Sequence, residues 1–187
     1  MSKRDQIMTA ALGLFIENGF DKTPTSAISK AAGVATGTLF HHFKTKEDLI
    51  NALYEETKFS LRDLLAPALM GQTDIKQIHH DLWFMMLAWT LENPEKYRFL
   101  HQFGESALIS ANTREKTQEA FSDFCSLVET AIEKGIFRPL PVDMCMGLMS
   151  SHLYASSNYL LENRELWDNE AFREQLFGSY WNTLAAT

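Results

Sequence analysis

The chain has 187 residues, 45% of them hydrophobic and 22% charged, proportions of a globular protein long enough to bury a sizeable core. No stretch approaches the 18 uninterrupted apolar residues that span a bilayer, and Met1-Ser2-Lys3-Arg4-Asp5 runs straight into amphipathic sequence without a secretory apolar segment, so a cytoplasmic protein with no membrane partner is expected. A net charge of −7 argues against a chain that coats nucleic acid over its whole surface; residues 1–48 hold six Lys/Arg against five Asp/Glu and the rest hold 11 against 19, so only the N-terminal quarter is fit to face phosphate.

Almost every long stretch repeats with helical period, and strict alternation and hairpin signals are absent, which predicts an all-α fold. The first helix, 5–18, carries Ile7, Ala10, Ala11, Leu14 and Phe15 on one face and stops at Gly19, a residue suited to a left-handed C-terminal cap. Helices at 25–32 and 36–43 flank Gly33. Further starts are marked by residues that accept from a first turn's free N–H groups: Thr45 before 46–69, Asp74 before 75–92, Asn93 with Pro94 for 94–104, and Asn112, with Glu115 three residues on, for 113–134. Gly135, Pro139 and Pro141 interrupt the chain before 142–163, and Asp168 or Asn169 opens 169–184. The expected count is about nine, in two domains: 1–48, and a helical body over 49–187.

The segment from Pro24 to Phe43 carries the chemistry. Ile28, Ala32, Val34, Leu39 and Phe43 are spaced to close a small core, with Gly33 supplying the positive φ of a tight turn between two helices. Eight-residue helices are not stable alone, so both must pack on the first. That leaves an outer face of Thr36, Thr38, His41 and His42, with no acidic residue between Asp21 and Glu47. Thr36 and Gly37 open the second helix, where free N–H groups and the helix dipole favour phosphate, and Lys44 and Lys46 flank its other end. Hydroxyl, imidazole and threonine methyl groups can meet base edges in a major groove wide enough for one helix.

Ala10-Ala11-x-x-x-Phe15-x-x-x-Gly19-Phe20, Ile28-x-x-x-Ala32-Gly33-Val34 and Gly37-Thr38-Leu39-Phe40-x-His42-Phe43-x-x-Lys46-Glu47-x-Leu49 resemble the signature of the TetR/AcrR family of helix-turn-helix transcriptional regulators over about residues 7–50. The resemblance implies that 36–43 is the recognition helix, that Thr25 and Ser26 contact phosphates, and that Lys46 contacts the DNA backbone. Two positions depart from the pattern. Phe40 stands where the family usually has Tyr and lacks the hydroxyl that would reach a phosphate, and Ser29 replaces a small apolar residue with one whose hydroxyl needs a partner.

In the body, residues 82–91 are apolar all round and must be enclosed as a central helix. Trp83, Met86, Leu87, Phe103, Phe121, Phe124, Met149 and His152 are candidates for an apolar ligand cavity, and the apolar ones among them would serve equally as a filled core. Helices 142–163 and 169–184 carry more apolar surface than one protomer covers. By resemblance they form a four-helix dimer interface, with Leu148, Ser151, Ala155, Tyr159, Phe172, Leu176 and Tyr180 as its candidates. The expected function is a homodimeric repressor on a palindromic double-stranded DNA operator, released by a small apolar effector; an activator, or a DNA-binding protein without effector, is the alternative.

An enzyme is not expected. Gly104-Glu105-Ser106-Ala107-Leu108 has half of a nucleophile-elbow pattern, without its second glycine or a preceding strand. No cofactor or metal is expected either: His79, His80 and Asp81, and His101 with Glu105, read as hydrogen-bonded surface groups, and Met144, Cys145, Met146 and Met149 as packing. Cys125 and Cys145 fit no zinc or redox spacing and read as buried thiols.

Overall fold

The computed structural model describes residues 1–71 and 73–186. Among them are ten α-helices: α1 (Lys3–Asn18), α2 (Thr25–Ala31), α3 (Thr36–His42), α4 (Lys46–Leu65), α5 (Ile75–Glu92), α6 (Pro94–Phe103), α7 (Ala111–Glu119), α8 (Ser122–Glu133), α9 (Val142–Glu162) and α10 (Glu170–Leu184). Single 3-10 segments lie at Ala66–Leu69 and Arg164–Asp168, and the only extended pairing among the described residues is an isolated bridge between Phe137 and Ala185. None of these helices is long and apolar enough to cross a membrane.

The chain divides into two compact units, Met1–Leu61 with Pro94–Gln118, and Arg62–Asn93 with Glu119–Thr187. The expected N-terminal segment 1–48 lies wholly inside the first, which also takes in most of α4, α6 and nearly all of α7. Its core is built on α1, whose Ile7, Met8, Ala11, Leu12 and Phe15 are buried against Ile28 of α2, Leu39 of α3, Leu49, Ile50 and Leu53 of α4, and Phe99 and Phe103 of α6. Phe103 therefore belongs to this core, edge-on to Phe15 at 6.3 Å between ring centroids, and not to a cavity in the body.

Local chemistry sets the helix ends. Ser2 and Asp5 form a reciprocal capping box that starts α1 two residues earlier than its apolar pattern suggests. Thr45 and Asp48 do the same for α4, with Asp48 N–H donating to Thr45 Oγ1 at 2.9 Å. Asp74 caps α5 and Asn169 caps α10. Asn112 does not cap this helix: Ser110 Oγ accepts from Thr113 N–H, so α7 begins two residues earlier, at Ala111. The expected helix 46–69 ends at Leu65, because Pro67 has no N–H to continue the ladder and the chain tightens into a 3-10 turn.

The expected helix 113–134 is two helices. Thr113 and Thr117 of α7 are buried in the first unit, whereas Val128 and Ala131 of α8 are buried in the second, and the break at residues 120–121 lies where the chain passes from one unit to the other. The second core gathers Trp83 and Leu87 of α5, Val128 and Ala131 of α8, Cys145 and Leu160 of α9, and Phe177, Tyr180 and Leu184 of α10. The end of α10 is tied to the α8–α9 connection through Arg138, which donates to the carbonyls of Asn182 and Ala185.

Gly33 has φ +64°, which a side chain at Cβ disfavours, whereas Gly13 lies inside α1 with open space around it. Gly33→Ala is expected to lower stability by about 1 kcal/mol and Gly13→Ala to raise it by about 0.5–1 kcal/mol, both read from urea unfolding.

Candidate functional site

Two seven-residue helices form the N-terminal motif. Ile28 and Leu39 are fully buried and Phe43 nearly so, with Ala32 and Val34 packed at the edge of the same cluster. Between the helices, Gly33 lets the chain reverse tightly enough for Val34 N–H to reach the Ser29 carbonyl at 3.0 Å. The Ser29 hydroxyl donates to the Thr25 carbonyl at 2.9 Å, so the polar atom at this buried position is satisfied within its own helix.

With one face of α3 committed to the core, the other is free. Thr36, Gly37, His41 and His42 are exposed, Thr38 is half-buried, and the Phe40 ring stands 40% exposed among them. His41 and His42 stack edge to face at 5.4 Å. On α2, Ser26 is exposed and Thr25 half-buried. This surface has no carboxylate of its own, since the sequence from Lys22 to Lys46 contains none.

Lys46 is placed differently from the other candidates. Its ammonium donates to the Phe20 carbonyl at 2.7 Å and the Thr23 carbonyl at 3.2 Å, and lies 4.1 Å from the centroid of the Phe20 ring. Thr23, almost fully buried, in turn donates from Oγ1 to the carbonyls of Gly19 and Leu14. The first residue of α4 thus clamps the α1–α2 connection, with at most one of its three N–H bonds left for a phosphate. The sequence signal for this clamp was the aromatic Phe20 following Gly19, but the partners are backbone carbonyls that residue types do not reveal.

The segment Gly104–Ser110 is a structured turn. Arg114 donates to the carbonyls of Gly104 and Ser106 at 2.6 Å each, Asn51 bonds Leu108 and Ser110, and the Ser106 hydroxyl donates to the Phe103 carbonyl. Ser106 is held there as a turn-forming hydroxyl.

The second unit contains a cavity of about 210 Å³ lined by Leu65, His79, Leu82, Trp83, Met86, Phe121, Phe124, Met146, Met149, Ser150, Leu153 and Tyr180. Five of the sequence-derived cavity candidates, Trp83, Met86, Phe121, Phe124 and Met149, come together here. Leu87 and His152 do not. Leu87 sits one position round α5 from Met86 and is wholly buried in the core, and the His152 ring bonds the Thr183 hydroxyl at 2.8 Å. Sequence reasoning missed His79, which it read as a surface group. It is 1% exposed, with Nδ1 2.7 Å from the Tyr180 hydroxyl. Burial lowers its pKa to about 4 and holds the Tyr180 phenol well above its ordinary value, so both are neutral at pH 7. The Tyr180 ring stacks on Trp83 at 4.4 Å.

On α9 a stripe of exposed residues at helical spacing runs through Met144, Gly147, Ser151, Tyr154, Ala155 and Tyr159, with Leu148 half-buried beside it. Tyr159, 49% exposed, meets the half-buried Phe172 of α10 at 6.0 Å, and Leu176 is half-buried further along that helix. Tyr180 does not belong to this face, because its ring is buried against Trp83 and His79.

Residues 7–53 match the family model described as bacterial regulatory proteins, tetR family. The chain is 45% identical over 51 residues to the fatty acid metabolism regulator protein of Bacillus subtilis, a match spanning 27% of this chain and 26% of that protein. It is 26% identical over 180 residues to the transcriptional regulator AcrR of Shigella flexneri, covering 85% of this chain and 82% of that one. A TetR-family transcription regulator of Shewanella sp. PV-4 superposes over the whole of both chains with a TM-score of 0.91 at 29% identity.

Two expectations follow. Lys46→Met should lower the stability of the DNA-free protein by about 1–2 kcal/mol in urea unfolding, through the loss of two charge-assisted hydrogen bonds, an effect that a contact to phosphate alone would not produce. For His79 the folded pKa lies below the unfolded value of about 6.5, so the unfolded chain binds the extra proton first on acidification. Its contribution is fully present above about pH 6.5 and is lost as pH falls towards 4, by as much as about 3 kcal/mol, and His79→Gln should flatten that part of the stability profile.

Proposed function

The chain belongs to the TetR/AcrR family of helix-turn-helix transcriptional regulators, and from that premise we propose that it is a ligand-responsive repressor. Two copies read a palindromic operator through α3, and a small apolar effector in the body releases them. The observation that carries the reading is the division of α3 into a buried face, Leu39 followed by Phe43, and an outward polar face free of carboxylates. Thr36, Thr38, His41 and His42 meet bases and phosphates, Thr25, Ser26 and Gly37 lie against the backbone, and the Phe40 ring offers an apolar surface to a thymine methyl. The segment 1–48 serves as the DNA-binding domain.

Dimerisation supplies the second reading head. The apolar and small residues of α9, with Phe172 and Leu176 of α10, form the self-complementary surface, and two-fold symmetry places two recognition helices about 34 Å apart, on successive major grooves of one DNA face.

The effector occupies the apolar cavity of the second unit. Leu65, which lines it, is the last residue of α4, and Lys46, which clamps the motif, is the first. A ligand that prefers one disposition of the α4 end shifts the population of DNA-competent dimers and weakens operator affinity.

Footprinting on the upstream DNA of the chain's own gene is expected to show a protected palindrome. Thr38→Ala with His41→Ala should weaken binding roughly 10- to 100-fold and relax sequence preference, in keeping with about 1–3 kcal/mol for a good base contact. Tyr159→Asp should convert the protein to monomers in sedimentation and abolish protection. Retained affinity in the first variant, or a wild-type monomer, refutes the reading, and activation of transcription by the bound protein refutes the repressor role.

A further inference from the structure

Among the described residues, four that line the cavity of the second unit carry N–H or O–H groups, His79, Trp83, Ser150 and Tyr180, and three of these are engaged or enclosed. His79 Nδ1 and the Tyr180 hydroxyl are bonded to each other at 2.7 Å. His79 Nε2 and Trp83 Nε1 are buried so completely that almost no surface of either atom is open, to the cavity or to solvent. That leaves the Ser150 hydroxyl, and Ser150 is exposed, so water can serve it.

What remains for an occupant is hydrocarbon, aromatic and thioether surface. Among the described residues no Asp, Glu, Lys or Arg lines the cavity, and His79 is neutral at pH 7 because burial lowers its pKa to about 4. A carboxylate or ammonium group entering would lose its hydration without meeting a counter-charge. A hydroxyl or carbonyl would give up its water and find no partner in return. Water itself needs about two to four polar partners to settle in such a place, so the space favours an apolar molecule over solvent.

Volume sets the second limit. A dry apolar cavity of about 150 Å³ holds benzene, and in proportion the 210 Å³ here holds roughly eight to ten carbon atoms. Long acyl chains exceed that, and their carboxyl ends are excluded by the lack of a counter-charge as well.

The walls also favour a ring over a chain. Trp83 and Tyr180, stacked at 4.4 Å, and Phe121 and Phe124, at 5.2 Å, contribute four rings to the lining, and Met86, Met146 and Met149 bring three polarisable sulfurs. Aromatic edges and thioethers attract an aromatic ring more than a saturated one of the same size. A rigid ring gives up few internal rotations on entry, whereas a chain of equal carbon count loses many.

We propose that this cavity is built for a compact, uncharged aromatic hydrocarbon of about eight to ten carbon atoms, held by packing alone and without a hydrogen bond. The regulatory meaning of such a ligand rests on the reading of the cavity as the effector site.

Four probes test this on the full-length protein at pH 7.5: ethylbenzene, its hydroxyl isostere benzyl alcohol, its saturated counterpart ethylcyclohexane, and palmitate. Methyl NMR with carbon-13-labelled methionine gives both affinity and location. Of the eight methionines, Met86, Met146 and Met149 line this cavity, whereas Met8 lines a pocket of the first unit and Met85 an open groove beside Trp167. The volume-conserving replacements Met86→Leu, Met146→Leu and Met149→Leu assign the three signals. Ethylbenzene is expected to shift these three methyl signals saturably through its ring current and to leave Met8 unmoved. It should bind at least tenfold more tightly than benzyl alcohol and at least twofold more tightly than ethylcyclohexane, and palmitate should leave the three signals unchanged. Benzyl alcohol or ethylcyclohexane binding as tightly as ethylbenzene, palmitate titrating the cavity methyls, larger shifts at Met8 or Met85 than at those three, or no saturable shift with any probe would each overturn the proposal. A parallel gel shift separates the two readings. Ethylbenzene that binds as expected but leaves the operator complex intact supports the ligand class and refutes the cavity as the effector site.

Discussion

A helix of seven residues does not persist in water by itself, and the protein's contact with DNA depends on how that difficulty is met. Leu39 and Phe43 anchor α3 in a core assembled on α1, where Ile7, Ala11 and Phe15 lose all or nearly all contact with solvent. Because burial consumes one face of α3 completely, the residues on the other contribute little to folding. Threonines and histidines can be placed there to suit a ligand without weakening the scaffold. The same constraint explains Gly33, whose positive φ brings α2 and α3 close enough to share one core, and Lys46, which fastens the α1–α2 connection beneath them.

The second unit solves a different problem. Its central helix α5 is apolar nearly all round, and α8, α9 and α10 cover it with large flexible and aromatic side chains. Such side chains leave space when they meet at one place, and the cavity lined in part by Trp83, Met86, Phe121 and Phe124 is such a place. Within this core the hydrogen bond between His79 Nδ1 and the Tyr180 hydroxyl links α5 to α10, with both groups neutral.

Where helical period and capping chemistry agreed, the sequence was a good guide. The buried faces of α1 to α3, the Gly19 and Gly33 turns, the start of α4 at Thr45 and the start of α5 at Asp74 are all local matters of spacing and hydrogen-bond acceptors. It misled where a local signal had two outlets. Asn112 and Ser110 both offer a capping oxygen, and Ser110 caps. The run from 113 to 134 has continuous helical period, yet its two ends are buried in different units and the helix breaks between them. Tyr180 looked like one more apolar residue of an outward face, but it points inward to stack on Trp83.

By itself the sequence determined the all-α class, the helix-turn-helix and the carboxylate-free outer face of α3, because each follows from residue type and spacing within a few turns of chain. Tertiary structure alone decided which of Met86 and Leu87 faces a cavity, that Lys46 turns back onto two carbonyls, and that His79 is buried, neutral and left with one unpaired nitrogen. Adjacent helical residues point about 100° apart, so which neighbour fills a core and which borders a void depends on helices distant in sequence, whose approach no local pattern encodes.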